Sequence, residues 1–227
     1  RVTHRGRESA RIAENSLRIA TVIALPMGVG LSVLSQPIMT VIYPGSHESG
    51  PELLMLMGAA SFFVCMALMM NAILQAGGNE KYPIYSMIIG GIVKIAVNWF
   101  LVADPGINII GAPIGTLSCY AVMCVMDYIF LCRVMPDRPK LGRILARPVL
   151  SCAAMGLTAW AVYGLTMRFV GGVDAGRIMM ALCMCAAIAA AVIVYLVLTV
   201  LTRAVTYEDM KLIPKGEKLA RLLRIRP

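Results

Sequence analysis

Lys94 is the residue in this sequence best placed to do chemistry. It lies near the middle of an apolar run from Tyr82 to Ala103. A charge at such a depth in a bilayer costs at least about 2.5 kcal/mol on insertion scales, so a polar cavity, an acid partner or snorkelling must offset it. Asn98 stands one helical turn further along, so the two form a polar stripe on one face. A cation beside a carboxamide suits contact with an anionic group in an aqueous translocation cavity. The bland alternative is a structural lysine held by carbonyls or a buried acid. Asp127 is the one acid well inside an apolar run. Counted from the same membrane face, Lys94 lies roughly 10 Å deeper than Asp127 at 1.5 Å per residue, which disfavours a direct pair. The expectation is therefore an interfacial acid near Arg133, with a proton or cation role as the lesser alternative. Asn71 and Gln75, also a turn apart, read first as groups that join helices and second as substrate contacts.

Other chemistries find no residues. The sequence has no phosphate-binding Gly-rich loop, no HExxH, no paired carboxylates in an apolar run and no Ser-His-Asp set, since neither His4 nor His47 lies in such a run. No catalytic residue is therefore assigned, and an enzyme is not expected. The seven cysteines, at 65, 119, 124, 132, 152, 183 and 185, form no CxxC pair and lie in or at the ends of apolar runs. They read as small packing residues, with no metal site, disulfide framework or cofactor expected.

Positioning these residues requires membrane-spanning helices. Of the 227 residues, 59% are hydrophobic and 15% charged, and the mean hydropathy is +0.78. That is too little charge to cover a soluble domain of this size. About 20 apolar residues cross a hydrocarbon core, and six segments qualify: about Ser16 to Leu34, Leu53 to Gln75, Tyr82 to Ala103, Ile110 to Cys132, Pro148 to Met167 and Ile178 to Thr202. The fold class is an all-α, polytopic transmembrane bundle. Pro26, Gly28 and Gly30 predict a kink in the first helix. Ile38 to Tyr43 is too short to span and predicts an interfacial helix or the last turns of the first. Gly111 and Gly115, and Ala186, Ala189 and Ala190, offer small-residue faces for close helix packing.

The net charge of +9 does not point to nucleic acid, because the basic residues fall between the apolar runs. Of the 21 Lys and Arg, all but Lys94, Arg168 and Arg177 fall on one side of a six-span topology. The positive-inside rule places that side, and both chain ends, in the cytoplasm. After Thr202, Lys215, Lys218, Arg221 and Arg224 interleave with leucines, which predicts a basic amphipathic helix on an anionic membrane surface. The chain opens on Arg1 with a charged segment, and is expected to be the rear part of a longer protein.

The run Ala72-Ile73-Leu74-Gln75-Ala76-Gly77-Gly78-Asn79-Glu80-Lys81-Tyr82-Pro83 is followed by Ile88 to Lys94, by Asn98, and by Asn108 to Thr116 with Gly111-Ala112-Pro113 inside it. Together with Ala24-Leu25-Pro26, Gly28 to Leu31 and Leu212 to Gly216, it resembles the stage V sporulation protein B type of polysaccharide-transport proteins. These belong to the multidrug/oligosaccharidyl-lipid/polysaccharide exporter superfamily, MATE-like in fold, which includes the lipid II flippases. The resemblance implies that the six spans are the last six of fourteen. Residues 1–134 would be four helices of the second lobe, 135–203 two additional spans, and 204–227 a cytoplasmic tail. It also implies a plasma-membrane flippase for a lipid-linked oligosaccharide or peptidoglycan precursor, working by alternating access with a first lobe supplied upstream. The partners implied are the anionic lipid-linked substrate and membrane lipids. Lys94, Asn98, Asn71, Gln75 and Asp127 are the candidate cavity residues. A cation-coupled multidrug antiporter of the same superfamily and a non-transporting membrane scaffold are the alternatives.

Overall fold

The computed structural model describes residues 2–43, 45, 49–135, 141–169 and 176–201. The tail residues Lys215, Lys218, Arg221 and Arg224 lie outside them. The elements are α1 (Val2–Val33), α2 (Ser35–Ile42), α3 (Gly50–Ala76), α4 (Lys81–Val102), a 3₁₀ turn (Asn108–Ile110), α5 (Gly111–Val134), α6 (Leu141–Phe169) and α7 (Arg177–Leu201). No strand occurs among the described residues. Six helices are long and apolar enough to cross a membrane, all of them but α2. α1 begins 14 residues before the expected start of its apolar run and α6 seven before, because the polar turns that lead into them are also helical. The stretch after Gln36-Pro37 is part of a separate eight-residue helix, α2, set off from α1 by a break at Leu34.

The bundle is built with small residues inside and large ones outside. Ala24, Gly28, Gly58, Ala60, Ala67, Ala159, Ala187 and Ala191 are buried. Leu68, Ile95, Trp99, Phe100, Leu150, Leu157, Trp160 and Ile193 are exposed. Lipid tails solvate large side chains as well as other side chains do, so helices gain by bringing their backbones close, and small residues permit it. A Cβ on Gly28 would lie 2.8 Å from the Gly58 carbonyl oxygen, so α1 and α3 meet backbone to backbone. There the Ser32 hydroxyl donates across to the Met55 carbonyl at 2.9 Å.

Side by side, the spans run α4, α5, α3, α1, α6, α7, with α2 against α3 and α7. One core joins α1, α3, α5 and the start of α6 around Leu17, Leu74, Met123 and Leu131. A second joins α1, α6 and α7 around Leu34, Cys152, Met155 and Tyr195. α7 turns Cys183, Ala187, Ala191, Tyr195 and Thr199 inward, one every four residues. The expected face of Ala186, Ala189 and Ala190 is out of phase with this. Ala186 and Ala189 are exposed, because the inward position of Tyr195 sets the rotation of the helix. Tyr195 has a specific task. α1 runs on through Pro26, whose missing N–H leaves the Val22 carbonyl without its helical partner. The Tyr195 hydroxyl donates to that carbonyl at 2.7 Å. The proline predicted in the first span is thus accommodated by a side chain from the last.

Candidate functional site: the seam between α4 and α5

Two antiparallel helices in register meet at regular steps, and α4 meets α5 in this way. Ser86 touches Asp127. A Cβ on Gly90 would strike the Met123 side chain and approach the Cys119 carbonyl. The same four-residue step sets Lys94 at the level of Cys119. Asn98 packs its carboxamide into the space left by the missing side chain of Gly115. A Cβ on Gly111 would lie 2.9 Å from Leu101. Ser86, Gly90, Lys94 and Asn98 recur at four-residue intervals, and so lie along one face of α4. Gly111 and Gly115, the small-residue spacing seen in the sequence, are where α5 receives that face.

Lys94 is half-buried on this seam. Among the described residues it has no ion-pair partner. The Asn98 Oδ1 is buried and accepts no hydrogen bond among them. A free donor and a free acceptor therefore stand one turn apart in the middle of the span. The other face of α4 is open, with an apolar recess lined by Ile92, Ile95, Ala96, Trp99 and Phe100.

Asp127, which the sequence suggested was an interfacial acid near Arg133, packs inside the protein. It is fully buried, and so is Ser86. The Ser86 hydroxyl is bonded to Asp127 Oδ1 and lies 3.0 Å from the Pro83 carbonyl. Asn71 of α3 presents its carboxamide from the other side. With its nitrogen toward the acid it donates to Asp127 Oδ2 at 3.0 Å and Oδ1 at 3.2 Å. Ser86 of α4 and Asn71 of α3 enclose Asp127, in a core that the start of α6 also joins through Ile144. Asp127 does not meet Lys94, as the depth difference predicted. Asn71 and Gln75 do not act together: Asn71 is buried at Asp127, while Gln75 is exposed.

The residue that sequence reasoning missed is Ser86. A serine in an apolar helix usually bonds its own helix backbone and carries no signal alone. Its signal was the phase it shares with Lys94 and Asn98. Four of the cysteines, Cys119, Cys124, Cys152 and Cys183, are buried packing residues, and all seven are free.

The comparisons with known proteins agree with this architecture. The chain is 23% identical over 212 residues to a protein of Bacillus subtilis (strain 168) described as uncharacterized membrane protein YabM. The alignment covers 93% of this chain and 38% of that relative, so the chain spans about two fifths of the relative's length. No solved structure matches the chain. Residues 3–175 match the family described as lipid II flippase MurJ, within the exporter superfamily that the sequence resembles. With six apolar helices and a match over most of its length, this chain is a multi-pass membrane protein that belongs to the lipid II flippase MurJ family.

Proposed function

We propose that the chain is part of a flippase that carries a lipid-linked precursor of the cell wall across the plasma membrane. The family match over residues 3–175 carries this reading. The substrate class is a polyprenyl-linked oligosaccharide whose diphosphate is anionic. Lys94 supplies the cation for it, and the Asn98 carboxamide an acceptor for a sugar hydroxyl or a headgroup amide. An unpaired ammonium in a span is stabilised by an anion that comes and goes, and that is the electrostatic basis for transient binding. Alternating access then moves the headgroup between this lobe and another. In this reading the six spans are the last six of fourteen. Residues 1–134 belong to the second lobe, and 135–203 are two added spans that accommodate the lipid tail. The excess of Lys and Arg supports cytoplasmic ends.

The test is growth of cells that depend on the full-length protein. Lys94→Ala is expected to abolish complementation while Lys94→Arg, which keeps the cation, retains part of it. Complementation by Lys94→Ala at the wild-type level, with equal protein in the membrane, would remove Lys94 from the substrate path.

A further inference from the structure

The environment of Asp127 specifies what binds there. Its carboxyl group is fully buried between α3, α4 and α5. Among the described residues it has no ion-pair partner: its polar contacts are the Ser86 hydroxyl and the Asn71 carboxamide, both neutral. The elements around it carry further ionisable groups. On α5 they are the Cys124 thiol, whose Sγ lies 3.1 Å from the Phe63 carbonyl oxygen, Tyr128 beside Asp127 in the chain, and the exposed Arg133. On α4 they are Tyr82, stacked on Phe130, and Lys81, which is exposed. On α3, Glu52 stands at the opposite end and Cys65 is exposed. α1 and α6, which join the same core through Leu17 and Ile144, carry Glu14 and Arg18, and Arg147, near those residues in sequence. A carboxylate stripped of water and left without a cation is a costly arrangement.

The hydrogens give the same answer. A serine hydroxyl has one hydrogen to donate. Ser86 is in contact with two acceptors, the Pro83 carbonyl and Asp127 Oδ1. One hydrogen fills both contacts only as a shared, weaker bond. If Asp127 carries a proton on Oδ1, it donates to the Ser86 oxygen, Ser86 donates to Pro83, and Asn71 donates to Asp127. Every contact then has one donor and one acceptor.

We propose that Asp127, Ser86 and Asn71 form a proton-binding site that ties α3, α4 and α5 together when occupied, so that release of the proton accompanies opening of the α4–α5 seam. The reaction is the simple exchange of one proton between the Asp127 carboxyl and water that reaches it. The site stands apart from Lys94 and Asn98, and it does not require that the transported molecule be a lipid-linked sugar.

The test uses full-length protein in liposomes. Infrared spectra at neutral pH are expected to contain the carbonyl stretch of a protonated carboxyl. That band is lost in Asp127→Asn and shifts in Ser86→Ala, which removes its hydrogen-bond acceptor. Asp127→Asn should still fold, since an amide donates to Ser86 and accepts from Asn71 as the protonated acid does. The second readout is the labelling rate of Cys119, buried in the seam, in a variant where it is the only cysteine. This rate is divided by the rate in the same variant carrying Asp127→Asn, at each pH, so that thiol ionisation cancels. The ratio is expected to rise as pH rises. Identical spectra of the wild type and Asp127→Asn would overturn the proposal. So would a labelling ratio that stays flat with pH, or a carboxyl band that appears only when sodium is withdrawn, which would make the ligand a metal cation.

Discussion

Single polar atoms decide much in this bundle, because the bilayer offers them no water. The Val22 carbonyl is one case: Pro26 orphans it and the Tyr195 hydroxyl, far away in sequence, answers it. Removing that hydroxyl with Tyr195→Phe changes little volume. It should cost between ~0.6 and ~1.7 kcal/mol, the range for interhelical hydrogen bonds in membranes. Unfolding of the purified protein in mixed micelles would measure it. A loss near zero would mean that Val22 finds another donor. Asp127 is the second case, and it marks the limit of reading depth from sequence. Counting residues from the end of the fourth apolar run put Asp127 near the membrane surface. Its burial comes from Ser86 and Asn71 on neighbouring helices, and nothing local to Asp127 encodes those contacts.

Helices, by contrast, were largely legible. The length and apolarity of six runs fixed six spans, since a bilayer leaves few other solutions for a chain so poor in charge. The short helix after Gln36-Pro37 was legible for the same reason. Rotational phase was not. Ala186, Ala189 and Ala190 looked like a packing face, yet α7 turns Ala187 and Ala191 inward, because a helix apolar on all sides leaves its rotation to its neighbours. Gly111 and Gly115 do receive α4, at Leu101 and Asn98, although their spacing named no partner helix. The two faces of α4 make a direct comparison. Gly115→Ala places a Cβ on the Asn98 carboxamide and should cost about 1–3 kcal/mol, as overpacking does. Gly91→Ala on α4 meets open space and should be neutral or slightly stabilising, by up to about 1 kcal/mol from helix propensity. Equal effects in a melting series would contradict the register of the seam.

As a whole molecule, the six helices form a row that ends in α4, whose outer face is exposed from Ile84 through Ile88, Ile92 and Ile95 to Trp99. The row is internally well packed, and its least covered span carries the unpaired Lys94. That combination fits the proposed reading of the row as one lobe of a transporter, with Lys94 free of an ion pair among the described residues. The decisive measurement is translocation of a fluorescent polyprenyl-diphosphate oligosaccharide by the full-length protein in proteoliposomes, with Lys94→Ala run alongside at equal protein and equal melting temperature. The account predicts transfer across the bilayer by the wild type and at least a ~10-fold loss in the variant, equivalent to about 1.4 kcal/mol of lost interaction. No transfer by the wild type, or the same rate in both proteins, would contradict it.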